Sequence, residues 1–419
     1  MIKICIKTAG CALNFADSEQ MAGLLKEAGF EIVNSIKQAD VIILNTCTVK
    51  TPTENKFFNR LEKIKTLNKP IIVAGCIPQT DSKKLRGFPM IGTRQIDHIV
   101  EVVEETINDN IITALSYQDH PSLSLKRIRK NPVVEIIPIC RGCLGNCSYC
   151  KVRLARGKLK SYTIEEIKTR FKQALRQNAR EIWLTAQDTG CYGFDINTNL
   201  PTLLKQLVEI PGHYKIRIGM MNPNHVLNFL DELIQIYQNE KIFKFLHLPV
   251  QSGSNEILKV MNRKYTVEDF KKIVAAFKSQ IPEITLATDL ICGFPGETEK
   301  QFDDSLDLIK ETTPAAINIS RFWPRPKTKA AEMENQIHGQ ETKKRSQLLT
   351  DIYHNIARMQ NERWLGWQGE VIIDEIGKDN SFVGRNYAYK PVILKGNYGL
   401  GEVVQVRIAK ATPFDLRAQ

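Results

Sequence analysis

The chain has 419 residues, 42% of them hydrophobic and 25% charged, with a formal net charge of +12. That length accommodates two or three domains with separate cores, and the absence of any run of about 18 uncharged apolar residues excludes a membrane span. The positive charge suits a polyanion, nucleic acid first, and ten cysteines are more than packing asks for.

The chain starts with MIKICIKTAGCALNF, which is broken by lysines and glycine and reads as a strand, not a signal peptide. The expected location is therefore the cytoplasm, where clustered thiols mean metal or catalysis and not disulfides. Over residues 1–110, apolar runs at IKICIKT, DVIILNT and PIIVAG alternate with helical patterns at DSEQMAGLLKEAG and TENKFFNRLEKIKTL. Such a series predicts a parallel sheet covered on both faces. Each of these strands runs into a cysteine: Cys11, Cys47 and Cys76. Ligands in open α/β sheets sit beyond the carboxyl ends of the strands, so the three thiols are expected at one edge.

Residues 111–132 read as a linker ending in a basic cluster. From 133 to 340 six strands follow, VVEIIPI, EIWLTAQ, KIRIGM, FKFLHLPV, ITLATDLI and AINISRFW, most of them separated by amphipathic helices. This predicts a partial (βα)6 barrel of TIM type, its chemistry at the C-terminal strand ends. A charged amphipathic helix is expected over 341–365. Residues 366–419, with short strands broken by Gly and Asn, predict a small all-β barrel. The fold class is α/β with a small β module appended.

The loop after the first barrel strand is CRGCLGNCSYC, Cys140 to Cys150. Zinc ribbons separate their two C-x2-C knuckles by about 15–20 residues, and three residues here crowd a tetrahedral site. A redox dithiol lacks its thioredoxin-like setting. A [4Fe–4S] cubane fits: Cys143, Cys147 and Cys150 supply three thiolates and leave one iron open to a substrate or cofactor.

This C-x3-C-x2-C loop resembles that of radical S-adenosylmethionine enzymes, in which the cofactor's amino and carboxylate groups chelate the open iron; Cys140 is then the spare thiol. GCALNFADSE, NTCTV and AGC resemble the three cysteine motifs of the methylthiotransferase family. That likeness implies a second, auxiliary [4Fe–4S] cluster on Cys11, Cys47 and Cys76. ARGKLKSY, IWLTAQDTGCYG, GMMNP, HLPVQSGS, MNRKYT and DLICGFPGET follow the same family. The form of the first two is closest to the archaeal and eukaryotic branch acting on N6-threonylcarbamoyladenosine of tRNA. VGRNYAYKPV, in the C-terminal module, is similar to the TRAM RNA-binding domain. One departure is PRPKTKAA, where Lys327 and Lys329 replace a family Gly and Pro; a different turn is expected there.

The resemblance implies a methylthio group placed on C2 of the modified adenine at tRNA position 37, with S-adenosylmethionine as methyl donor and radical source. That C–H is not acidic, so no acid/base residue is assigned, and the cofactors carry the chemistry. Expected cofactor contacts are Gln187, Asp188, Arg156, Asn222, Gln251, Arg263, Gly293 and Gly296. Cys5, Cys191 and Cys292 are assigned to packing, and His247 either faces the barrel mouth or lies in the core. Arg385, Tyr387, Tyr389 and Lys390 interleave cations with aromatics and are expected to contact RNA. Implied partners are the tRNA anticodon stem-loop and an electron donor such as ferredoxin or flavodoxin, acting on a monomer. The isopentenyladenosine and ribosomal-protein branches, and a non-catalytic metal-stabilised RNA-binding protein, stay open as alternatives.

Overall fold

The computed structural model describes residues 1–117 and 121–419; residues 118–120, inside the expected linker, lie outside the described residues. The N-terminal strands are β1 Lys3–Thr8, β2 Glu31–Ile32, β3 Val41–Thr46, β4 Ile71–Gly75, β5 Met90–Ile91 and β6 Thr113–Ala114. They form one parallel sheet in the order β2-β1-β3-β4-β5-β6. Alternate residues of β3 feed opposite cores, as a period of two requires. Val41 and Ile43 meet Met21 and Leu25 of α1 (Ala12–Glu27), and Ile42 and Leu44 meet Phe57, Leu61 and Ile64 of α2 (Thr51–Lys65). The strands β2, β5 and β6 have two residues each, too few for periodicity to reveal them.

One face of α1 lies on this sheet; on another, Ala16 packs against Val133, Val134 and Ile136 at the first barrel strand. Both faces are covered, so α1 lacks the polar stripe of a surface helix. The predicted linker is a strap along α1. Ile128 N–H donates to Glu19 O at 2.9 Å, and Arg127, 1% exposed in its side chain, pairs with the buried Glu135 at 2.9 Å.

Barrel strands β7 Val134–Pro138, β10 Glu181–Thr185 and β11 Lys215–Ile218 form one parallel triplet; β12 Phe245–His247, β13 Thr285–Cys292 and β14 Ala316–Arg321 form another. A parallel Ile216–Ile242 bridge joins the two triplets, so the six strands run in chain order, as expected. Between β7 and β10 a short hairpin, β8 Cys140–Arg141 with β9 Lys160–Ser161, closes the base of the cysteine loop. The helix Gly339–Glu362 leads to a closed barrel of β15 Gln368–Ile376, β16 Ser381–Arg385, β17 Pro391–Lys395, β18 Val403–Ala411 and β19 Leu416–Ala418, ordered β15-β16-β17-β19-β18. No helix among the described residues is long and apolar enough to cross a membrane.

The expectation of a different turn at PRPKTKAA meets a left-handed residue. Lys327 adopts φ +69°, the region glycine favours, and its Nζ donates to Thr80 O at 2.6 Å. The lysine thus takes up a glycine-like backbone and ties the loop to the N-terminal domain.

Candidate functional site

Cys11 caps α1, Cys47 follows β3, and Cys76 opens the helix Cys76–Asp81 after β4. Gly10 has φ +124°, and a Cβ placed there would lie 2.7 Å from Cys47 Cβ, so only glycine lets the first two loops approach. Asn14, in the first turn of α1, organises the group. Its Nδ2 donates to Ala9 O and Thr46 O at 2.9 and 2.8 Å; its Oδ1 lies 3.9 and 3.8 Å from the Cys11 and Cys76 sulfurs and accepts from Arg156 at 2.6 Å. Burial pushes the Cys47 thiol up to about 12, and the neighbouring Cys76 and Cys11 add to the effect.

Arg156 belongs to this triplet and not to the cofactor carboxylate expected from sequence. Its Nη1 pairs with Asp17 Oδ2 at 2.7 Å, while Arg141 pairs with Asp17 Oδ1 at 2.8 Å, all three side chains 1% exposed. Burial opposes the charge on Arg156, but Asp17, Cys76 and Cys11 outweigh it and hold the guanidinium above its ordinary range. The helix Val152–Arg156 begins two residues after Cys150, so one helical turn connects the two cysteine groups.

In the second group, Gly142 N–H donates to Gln187 Oε1 at 2.7 Å and Ser148 N–H to Met261 O at 3.0 Å, which anchors the loop to the barrel. Donors point at sulfur in both groups: Gly145 N–H to Cys143 at 3.2 Å, Arg263 Nη1 to Cys147 at 3.2 Å, and Val49 N–H to Cys47 at 3.4 Å. Burial and the adjacent Cys147 push the Cys150 thiol up to about 11. Two sets of three thiols, Cys47 and Cys76 buried and Cys143, Cys147 and Cys150 half-buried, with N–H donors on Cys47, Cys143 and Cys147, fit thiolate-ligated iron–sulfur cubanes. Cys140 is fully buried, with its sulfur 3.8 Å from Asp188 O, behind the loop.

Cys11, Cys143, Cys147 and Cys150 line one cavity of about 480 Å³, together with Gln187, Asn222, Gln251, Arg263 and Trp323. Clefts of about 650 and 710 Å³ elsewhere are lined by no cysteine; chemistry, not size, selects the site. Arg263 donates to Asn222 Oδ1 across the cavity wall. Gln251 is 7% exposed with φ +73°, a strained backbone of the kind active sites hold. His247 bonds Asp289 of the wall at 3.0 Å.

Other expected contacts lie elsewhere. Asp188 is fully buried, accepting from Gly190 N–H and Asn222 and lying 3.5 Å from His225, so it orients Asn222 from behind. A Cβ on Gly293 would come 2.2 Å from Thr342 Cγ2, and Gly296 N–H donates to Asn335 O at 2.8 Å. The missing side chain of Gly293 lets the helix Gly339–Glu362 pack close, and neither glycine is among the residues lining the cavity. The expected RNA group also turns inward. Tyr389 packs 4.9 Å from Phe243 and 5.2 Å from Phe245, Arg385 pairs with Asp374 at 2.9 Å, and Tyr387 stacks beside Trp364. Lys390 Nζ bonds Asn361 at 2.8 Å, and burial pushes its amine down to about 8. Tyr389 thus packs the C-terminal barrel on the central one, while Arg385, Tyr387 and Lys390 are engaged within the C-terminal module and its connecting helix. Sequence reasoning passed over Trp323, Arg321 and Arg325, although "SRFWPRP" ends the last barrel strand, where function was expected.

Residues 3–92 match the family described as Uncharacterized protein family UPF0004, 137–309 the Radical SAM superfamily, and 366–419 the TRAM domain. A Pyrococcus horikoshii protein named "Probable threonylcarbamoyladenosine tRNA methylthiotransferase" is 44% identical over 418 residues, covering 98% of each chain. The human threonylcarbamoyladenosine tRNA methylthiotransferase is 42% identical, covering 100% of this chain and 74% of its own. Among solved structures, the radical S-adenosylmethionine methyltransferase TsrM from Kitasatospora setae superposes with TM-score 0.56 at 14% identity, over 79% of this chain and 77% of that one. That last likeness speaks for the fold alone.

Proposed function

The chain belongs to the threonylcarbamoyladenosine tRNA methylthiotransferases, and from that premise we propose how its residues divide the work. It is a radical S-adenosylmethionine enzyme with a TRAM domain, and it transfers a methylthio group to threonylcarbamoyladenosine in tRNA. In our reading the target is C2 of the base at position 37. Cys143, Cys147 and Cys150 hold one [4Fe–4S] cluster, Cys11, Cys47 and Cys76 a second. When bound, these clusters and S-adenosylmethionine supply reductive radical generation and the sulfur and methyl that the base receives.

The protein's part is positional. Arg263, held by Asn222 and facing Cys147, offers a cation to the carboxylate of S-adenosylmethionine. Gln187 uses its carbonyl to fix the cysteine loop, which leaves its amide N–H groups for the cavity. Tyr149, Ile291 and Phe322 line the wall and keep water from a radical. The observation that carries this reading is the shared cavity: Cys11 of the first triplet and all three cysteines of the second open onto it. A small cytoplasmic ferredoxin- or flavodoxin-type donor and a monomeric enzyme complete the proposal. Nucleoside mass spectrometry of tRNA from a deletion strain tests it. The methylthio group should vanish from threonylcarbamoyladenosine alone; its loss from isopentenyladenosine instead would reassign the substrate.

A further inference from the structure

Five basic side chains line the shared cavity: Lys50, Arg153, Arg263, Arg321 and Arg325. Three are committed: Arg153 to Gly145 O, Arg263 to Asn222 and Cys147, and Arg325 to Thr48, Thr51 and Glu54. Lys50 is exposed at the rim. Arg321 differs from all of them. It ends β14 half-buried, its guanidinium 5.3 Å from the centre of the Trp323 ring, and its side chain has no carboxylate or hydrogen-bond partner among the described residues. The one carboxylate among the described residues that lines this cavity, Asp289, is taken up by His247 and Asn318, so the pre-positioned Arg321 cation is matched to an anion that arrives with a ligand.

Trp323 sits two residues on, just past the end of the strand and in contact with Arg321, and is 39% exposed although it lines the cavity. An indole left open there offers a stacking surface to an unstacked base. The substituent on the substrate base has matching chemistry. A threonylcarbamoyl group ends in the threonine carboxylate, anionic at neutral pH, whereas an isopentenyl group is a hydrocarbon. A planar guanidinium grips a carboxylate through two parallel N–H···O bonds.

We propose that Arg321 and Trp323 form the specificity subsite of the cavity, Arg321 binding the carboxylate of the N6 substituent and Trp323 stacking on the adenine. This rests on the substrate reading given above and adds the residues that would enforce it. The subsite rejects adenosines without an anionic substituent because nothing then neutralises Arg321 in the half-buried cavity.

The test is equilibrium binding to the anaerobically reconstituted full chain, read by fluorescence anisotropy without turnover. The probes are synthetic anticodon stem-loops carrying threonylcarbamoyladenosine, its threonine methyl ester, isopentenyladenosine or adenosine. Wild type should bind the acid about tenfold tighter than the ester. Arg321→Met should bind both equally, with its ester affinity within about twofold of wild type as proof of folding, and Arg321→Lys should keep part of the preference. Trp323→Ala should weaken every stem-loop by about fivefold or more. Retention of the acid preference in Arg321→Met, or its loss in Lys50→Met instead, overturns the subsite and leaves the substrate reading standing. A wild type that prefers isopentenyladenosine overturns both.

Discussion

The Asn14 carboxamide joins two loop carbonyls, two thiols and the Arg156 guanidinium, so residues distant in sequence act there as one group. Single cysteines should nevertheless separate the two clusters. Cys76→Ala is expected to lower iron from about eight to about four per reconstituted chain, sparing cofactor cleavage and ending methylthiolation. Cys150→Ala should also leave about four irons but abolish cleavage. Loss of both activities in both variants would refute the division. Beneath them Asp17 balances two guanidinium groups, Arg141 and Arg156. Asp17→Asn leaves both buried cations uncompensated and should cost about 3–5 kcal/mol in urea denaturation. Cys143, Cys147 and Cys150 were legible because their spacing is their chemistry, and Cys11, Cys47 and Cys76 because each follows a strand; Asp17 was not, since it meets Arg141 and Arg156 only across a domain boundary.

The element that most repays attention is α1, whose sequence alone looked like an ordinary crossover helix. Folding covers it with the strap 121–132, and Glu19 accepts from Lys130 N–H at 2.9 Å in that contact. Burial, partly offset by that hydrogen bond, pushes the Glu19 carboxyl up to about 7 from an ordinary 4.5. Between those values the folded chain holds a proton that the unfolded chain has released. Stability therefore falls as pH rises from about 4.5 to about 7 and stays lower above, by a sum on the order of 3 kcal/mol. Glu19→Gln should remove that slope while keeping the Lys130 bond, a difference that urea midpoints measured from pH 5 to 8 would reveal. A strap reads as a linker in sequence because irregular segments carry no period, and only contact shows them to be buried.

At the scale of the molecule, long-range ion pairs couple the domains. Arg325, beyond the last barrel strand, reaches Thr48, Thr51 and Glu54 of the N-terminal domain, and Lys151, just after Cys150, pairs with Asp81. These clamps hold the N-terminal domain against the central barrel, so that Cys11 and the second triplet share one cavity. Arg325→Met should cost about 3 kcal/mol by leaving the buried Glu54 without its main partner. Arg325→Lys should recover only part of that in thermal or urea unfolding, because an ammonium cannot span three acceptors in a plane. On the opposite side, Arg217 lies 5.1 Å from each of the Trp183, Phe245 and Tyr389 rings and pins the C-terminal barrel in place.

Sequence by itself determined the parallel sheet, the six-strand barrel, the closed β module and the compact cysteine loop, since periods of two and 3.6 and short ligand spacing are local properties; Cys11, Cys47 and Cys76 came from their strand ends and from resemblance. Only the tertiary structure decided that Arg156 meets the N-terminal triplet, that Gly293 lies against the helix Gly339–Glu362, and that Tyr389 packs on the central barrel. It also left Arg321 in the cavity unpaired with any carboxylate among the described residues. A cation beside an aromatic has the same sequence whether it meets RNA, a cofactor or another domain; which one it meets depends on what the fold brings within about 4 Å.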